Sequence, residues 1–538
     1  MQALLGCARY PQGVRARHRT LRSFRNVMQE DTQVVAGRPL TLEDVARVAR
    51  HRARVHLSDD ARARIRSGRD YVDRLLAEER NAYGITTGFG KLAQVRVPAA
   101  DVRRLQRNLV LSHAVGVGEP LATEVVRAML LLRAQSLSYG HSGAREVAVS
   151  LLVDMLNAGV HPVIPGQGSV GASGDLAPLA HMALTLIGEG DAEYEGRVMP
   201  SREALGAAGL EPVELHAKEG LALINGTQAM CALGSLAVYD AQHLATVADV
   251  TGAMTLEAVE GTLAAFDERV VRVRAHPGAA ECASNLRRVG AGSEIHEAHA
   301  DCPKVQDAYS LRCMPQVHGA SRDALRHARE VLEREMNSVT DNPLLFPDDD
   351  LVISAGNFHG QPVALVLDYA KLAISELGNI SERRVAHLMD PALSGLPAFL
   401  VKQAGLDSGL MITQYAAASL ANENKVLAYP ASADSIPTSA NQEDHVSMGM
   451  TSARHLRRTL ENVQWILSIE LLCAAQGLDL RAPLKPAPGT GAALRALRKV
   501  SPPLDEDRLL QGDMKAARHL VESRSLIEAV ETAVGKLG

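Results

Sequence analysis

Apolar residues recur at three- and four-residue steps through the second half of the chain. Between 442 and 476 no proline and only one glycine, Gly449, interrupts the run, and Ala453, Leu456, Leu460, Val463, Leu467, Leu471 and Ala474 trace one face of a long helix. Gly477 is the expected C-terminal stop. Val366, Ala370, Ala373, Leu377 and Ile380 form a second stripe. Leu325, Ala328, Leu332 and Val339 form a third, which Asn342-Pro343 should end. An ordinary globular helix has about 11 residues, so segments of about 20 to 35 predict a bundle in which these stripes are core. Strand-like alternation is short and sparse, and the first 225 residues are richer in glycine-dense loops. The expected fold is mainly α. It divides into a basic extension over 1–27, a loop-rich domain over 28–225, and a long-helix bundle with C-terminal helices over 226–538.

Composition narrows the chemistry without naming it. The 538 residues are 46% hydrophobic, carry a net charge of −5 and include only 3% aromatics, so there is neither a broad basic field nor a supply of rings to stack on bases. A small-molecule substrate is expected, with no nucleic acid partner. No apolar run reaches the ~18 residues of a membrane span, so no membrane partner is expected either. The six cysteines, Cys7, Cys231, Cys282, Cys302, Cys313 and Cys473, are scattered without a C-x-x-C pair, as reduced cytoplasmic thiols would be. Residues 1–27 hold six arginines and no acid, the composition of a transit peptide. They lack an apolar h-region and a clear amphipathic repeat, which favours a disordered basic tail or an upstream start codon with Met28 as the true first residue.

The strongest chemical signal is Gly171-Ala172-Ser173-Gly174-Asp175. Attack of the Gly174 nitrogen on the Ala172 carbonyl, with loss of two waters, one of them from Ser173, would give a methylidene-imidazolone ring, an electron sink no ordinary side chain supplies. Gly174 lets the chain fold back tightly enough, Ala172 crowds nothing, and Ser173 leaves the alkene. Alone, Ala-Ser-Gly is usually a turn. Two other readings of the segment fail. Gly166-Gln167-Gly168-Ser169-Val170-Gly171 fits G-x-G-x-x-G, with Asp191 downstream, but His161-Pro162-Val163-Ile164-Pro165 cannot be the central strand that fingerprint needs, and its helix should be delayed past Pro178. Ser173 with Asp175 and His181 does not make a G-x-S-x-G elbow.

The longer string Gly168-Ser169-Val170-Gly171-Ala172-Ser173-Gly174-Asp175-Leu176-Ala177-Pro178-Leu179-Ala180-His181 resembles the signature of the aromatic amino-acid ammonia-lyases, and the resemblance recurs in five places across most of 75–480. It implies an aspartase/fumarase-like helical fold and a 4-methylidene-imidazole-5-one (MIO) group made autocatalytically from Ala172, Ser173 and Gly174, with no added cofactor. Tyr83-Gly84-Ile85-Thr86-Thr87-Gly88-Phe89-Gly90 resembles the family's mobile tyrosine loop, which makes Tyr83 the base for the β-proton. Thr86 stands where many relatives have Asn. Asn225, in Leu223-Ile224-Asn225-Gly226-Thr227-Gln228, matches the asparagine beside ring and substrate. In Gln306-Asp307-Ala308-Tyr309-Ser310-Leu311-Arg312-Cys313, the block that includes Gln306 and Tyr309, Arg312 is expected to clamp the substrate carboxylate with its bidentate fork. Gly356-Asn357-Phe358-His359 places Phe358 against the substrate ring.

Two markers bear on the substrate. Ser112-His113 stands where phenylalanine- and tyrosine-specific members carry Phe-Leu or His-Leu, and in Ser439-Ala440-Asn441-Gln442-Glu443-Asp444-His445 a glutamate replaces the glutamine of phenylalanine-specific relatives. A carboxylate can accept an imidazole N–H and has no such partner on a phenyl ring. Both markers point to L-histidine, to be converted to trans-urocanate and ammonia in the first step of histidine degradation. The substrate amine, or in an older proposal its imidazole, would be captured by the ring's alkene. The alternative within the family is a tyrosine or phenylalanine ammonia-lyase or aminomutase, and outside it a helical scaffold with an uncyclised triad. The family implies a homotetramer with active sites built from three subunits, and Tyr83, Tyr309 and Glu443 are far enough apart in sequence to allow that. His296, Glu297, His299 and Cys302 do not meet H-E-x-x-H spacing, so no metal is expected.

Overall fold

The computed structural model describes residues 33–80, 83–85, 87–88, 97–300 and 305–538. The basic extension over 1–27, Met28, Thr86 and Cys302 lie outside them.

Four helices, Gln228–Ala258, Met314–Met336, Gln361–Met389 and Gly449–Leu480, pack on their neighbours to form the bundle, and Met411–Leu427 lies along the last two. All seven stripe residues of Gly449–Leu480 are buried. Gln228–Ala258 is buried on nearly every side, as a helix surrounded by others must be, so its sequence shows little amphipathic period. Its buried Thr251 and Thr255 hydroxyls donate to Glu470, which also receives Ser381 Oγ and the guanidinium of Arg384, so this charge deep in the bundle is fully hydrogen-bonded. The main apolar cluster is continuous from Val34 to Val530.

Three helix ends differ from the sequence expectation. Gly477 does not stop its helix, which begins only at Gly449 and runs on to Leu480. A Cβ on Gly477 would sit 2.9 Å from Ala258 Cβ, so glycine is there to let two long helices touch. Met314–Met336 ends three residues before Val339, well short of Asn342-Pro343. The helix after the Ser173 loop begins at Leu176, not past Pro178. Pro178 is tolerated because the N–H groups of a first helical turn have no intrahelical partner to lose. Among the described residues Gly449–Leu480 is the one helix long and apolar enough to cross a membrane, and 83% of its apolar window is buried in the bundle.

Strands are short. His161–Pro162 pairs antiparallel with Asp191–Tyr194, which pairs with Arg197–Pro200, leaving the proline strand at the sheet edge. Val117–Pro120 pairs antiparallel with Pro165–Gln167 and leads the chain into the Ser173 loop.

Candidate active site

A cavity of about 820 Å³ opens where several loops meet at helix ends. It is lined by the C-terminal ends of Val102–His113 and Glu219–Ile224, the start of Leu176–Leu186, and the loops that precede Gln361–Met389 and Gly449–Leu480. Tyr83, Ser112, His113, Ala172, Ser173, Asn225, Phe358 and Glu443 all line it, so most of the residues singled out from the sequence come together in space.

The Ser173 loop is held by backbone and by one buried carboxylate. Gly174 has φ +73°, and a Cβ there would lie 2.1 Å from the Gly226 carbonyl oxygen, so only glycine fits. The neighbouring Asp175 N–H donates to that same oxygen at 2.7 Å. Asp175 Oδ1 accepts from Ser169 Oγ and Oδ2 from the Met230 N–H, each at 2.8 Å. Burial pushes the Asp175 carboxyl up to about 6, against the pull of those donors. The base of the Gly449–Leu480 helix grips the other side of the loop: Ser447 Oγ donates to the Gly171 carbonyl at 3.1 Å and Met448 N–H to that of Val170 at 2.9 Å.

Asn225 caps the short helix Glu219–Ile224 and is 3% exposed. Its Nδ2 donates to the Ser173 carbonyl at 2.8 Å, while its buried Oδ1 has no partner among the described residues. The wholly buried Arg133 sets this corner, donating to the carbonyls of Asn225 and Ala222 and to Gln228 Oε1. Burial lowers the Arg133 guanidinium to about 10.

Glu443 faces Ser173 from the opposite wall. Its Oε1 accepts from Ser173 Oγ at 2.9 Å and its Oε2 from Thr438 Oγ1 at 2.7 Å. Ser112 Oγ donates to the Leu109 carbonyl at 3.1 Å and lies 3.1 Å from His113 Nδ1. Burial lowers the pKa of His113, which the Leu109 carbonyl and the charge of Glu443 only partly offset, so the imidazole is neutral near pH 7. Tyr83 is half-buried against the apolar core.

Gln306, Tyr309 and Arg312 do not line this cavity in their own chain. Tyr309 is 72% exposed, and the Arg312 guanidinium stacks over its ring at 4.7 Å from the centroid. Arg312 Nε is buried without a partner among the described residues. The sequence reading passed over four contributors: Arg133, Thr438, and the pair His359 and His445, which line the cavity with rings stacked 5.7 Å apart. Three of them carried a signal: Arg133 is an arginine set in the apolar run Met129-Leu130-Leu131-Leu132, and His359 and His445 close two of the motif blocks without having been singled out.

His296 is half-buried near Glu257 and Asp307, while His299 lies 4.0 Å from Glu260. The group of metal-ligand type among the described residues is elsewhere, at Asp249, Cys282 and His318. Arg322 donates to Asp249 at 2.6 Å and Arg384 lies 3.3 Å from His318, so guanidinium charge already occupies the surroundings a cation would need.

A sequence model of the aromatic amino acid lyase family matches residues 40–499. A histidine ammonia-lyase of Sorangium cellulosum is 58% identical over 513 residues, covering 94% of this chain and 100% of that protein. One of Symbiobacterium thermophilum is 58% identical over 94% of this chain and 99% of its own. Among solved structures, the histidine ammonia-lyase of Trypanosoma cruzi superposes with a TM-score of 0.87 at 44% identity, covering 94% of this chain and 96% of that one. A tyrosine aminomutase of Streptomyces globisporus superposes with 0.90 at 37% identity, covering 94% and 100%. Backbone likeness therefore does not separate the substrates, and the side chains at the cavity must.

Proposed function

The chain belongs to the aromatic amino acid lyase family, and from that premise we propose that it is a histidine ammonia-lyase, eliminating ammonia from L-histidine to give trans-urocanate. The observation that carries the substrate is the meeting of the Glu443 carboxylate with Ser173 in a cavity also lined by neutral His113. Polar groups that must be paired reject a phenyl ring, which cannot return their hydrogen bonds.

Ala172, Ser173 and Gly174 fit the MIO group. The turn at Gly174 admits no Cβ, Asn225 Nδ2 already donates to the Ser173 carbonyl, and the orphaned Asn225 Oδ1 offers an acceptor beside it. Once formed, the group supplies an electrophilic alkene that activates the amino group as a leaving group. Asp175 and Asn225 would hold the loop that carries it. Glu443 would accept the imidazole N–H and stabilise positive charge on that ring, His113 and Ser112 would complete its polar surround, and Phe358 would pack against its face. Tyr83 would take the β-proton.

Arg312, Tyr309 and Gln306 would reach the cavity from a neighbouring copy, with Arg312 clamping the carboxylate. Their absence from their own chain's cavity supports a homotetramer with shared sites. So do the exposed Leu365, Tyr369 and Leu372 on one helix and Ile412 and Tyr415 on the next, an apolar face that a second copy would cover. We place the boundary between the MIO-bearing part and the bundle at 225/226, just before the long helix that opens at Gln228. The free thiols of Cys231, Cys282, Cys313 and Cys473 support a cytoplasmic location. The test is product formation by purified protein with histidine, tyrosine and phenylalanine in turn. Urocanate from histidine alone is expected, and comparable turnover of phenylalanine or tyrosine would overturn the assignment.

A further inference from the structure

The turn that presents Glu443 is held in an unfavourable backbone shape. Ser439, Ala440 and Asn441 lie in the left-handed region, at φ 51°, 51° and 64°. A non-glycine residue there costs on the order of 1 kcal/mol, so three in succession persist only where surrounding contacts over-determine them. Within the turn, the Thr438 and Glu443 N–H groups each donate to the other's carbonyl, at 2.9 and 3.3 Å, and Val446 N–H donates to Ser435 Oγ at 3.0 Å. These ties shape the turn but do not fix it against the rest of the cavity.

His359 supplies such a tie. It sits two residues before Gln361, the first residue of a bundle helix, and its Nε2 lies 3.2 Å from the His445 carbonyl oxygen. Gln361 N–H donates to Nδ1 at 3.3 Å, so Nδ1 is the acceptor and Nε2 carries the proton the carbonyl needs. The two imidazoles stack with 2° between their planes. Two residues earlier in the turn, the Glu443 carboxylate accepts from Ser173 Oγ.

We propose that His359 is a positioning residue for the reaction, latching the 438–446 turn to the bundle so that Glu443 is held over Ser173. The role rests on the histidine-lyase reading, in which Glu443 serves the substrate imidazole. Misplacement of such a group by about 1 Å can cost ~10²-fold in rate. The test is a double-mutant cycle on kcat for L-histidine, using assembled protein whose intact mass has lost two waters. His359→Phe, which keeps the stacked ring and loses the donor, is expected to lower kcat by ~10- to 100-fold. His359→Gln, which keeps an N–H donor, should lose less than ~5-fold, the scale of one neutral hydrogen bond. In a Glu443→Gln background the additional cost of His359→Phe should fall below ~2-fold, because the group it positions is already disabled. A merely structural role would give the same loss in both backgrounds, and that result, or equal losses in the Phe and Gln variants, would overturn the proposal. If His359→Phe does not assemble, His359→Asn, too short to reach the His445 carbonyl, takes its place in the cycle. Wild-type protein inactive on histidine would overturn the functional reading itself, whereas an active wild type with an additive cycle would remove only the positioning role.

Discussion

Ser173 and Glu443, 270 positions apart, share a hydrogen bond, and a substitution at either has a separable consequence. Ser173→Ala cannot leave an alkene, so we expect a folded protein with activity lower by several orders of magnitude and an intact mass that shows no loss of two waters. Near wild-type turnover would sink the MIO reading. Glu443→Gln keeps the size of the side chain and removes its charge. It should form the ring normally, as intact mass would report, and lose histidine turnover by at least ~10-fold; a silent substitution would remove Glu443 from the chemistry. At this scale the sequence was informative about which residues gather: Tyr83, Ala172, Ser173, Asn225 and Glu443, singled out from their motifs, all line one cavity. It was silent on the roles of Thr438 and His359. They act through hydrogen bonds to a neighbouring carboxylate and a backbone carbonyl, which many residue types could make, so residue type alone does not announce the role, even for His359, which closes a motif block.

Elements were legible where burial has a period. The stripes at 366–380 and 453–474 fall inside helices, because one face of each meets the core, whereas the third keeps Leu325, Ala328 and Leu332 in its helix and leaves Val339 beyond the end at Met336. Gly477 and Pro178 misled because each is read locally as a helix breaker, while contact with Ala258 in one case and a first-turn position in the other decide the outcome. The edge strand His161–Pro162 carries a testable consequence of the same kind. His161 is 3% exposed and its Nε2 lies 3.1 Å from Arg127 Nη1, so the ring must stay neutral to accept. Burial first, and the Arg127 charge next, push its pKa down to about 4. An unfolded chain protonates histidine near 6.5, so it takes up a proton that the fold refuses as pH falls. Stability should therefore be full above about 6.5 and decline by at most about 3 kcal/mol towards pH 4. His161→Gln keeps an acceptor without titrating, and its thermal unfolding midpoint should fall less steeply than wild type over that range. Identical pH slopes would show that another group carries the acid sensitivity.

At the scale of the whole molecule, the proposed site calls on groups that one chain does not bring to its own cavity. The motif around Arg312 is that of a carboxylate clamp in the relatives it resembles, yet in its own chain Arg312 stacks on an exposed Tyr309 and does not line the cavity that holds Ser173. No pattern along a single sequence reports which copy a side chain will serve; the exposed apolar residues of Gln361–Met389 and Met411–Leu427 only mark where a copy could dock. If sites are shared, two inactive chains can repair each other. Ser173→Ala and Arg312→Ala should each be nearly inactive alone, the first without an electrophile and the second without its bidentate hold on the substrate. Co-expressed at equal levels, they would assemble at random, and a site drawing Ser173 from one chain and Arg312 from another would find both intact in roughly a quarter of cases. We expect co-expressed protein to recover on the order of a quarter of wild-type kcat, and the two variants purified separately and then mixed to recover none until subunits exchange. If each chain completed its own site, every site in the mixed assembly would lack one group or the other. Activity would then stay at the level of the separate variants, and the shared-site arrangement would fall while the ring chemistry at Ser173 stood.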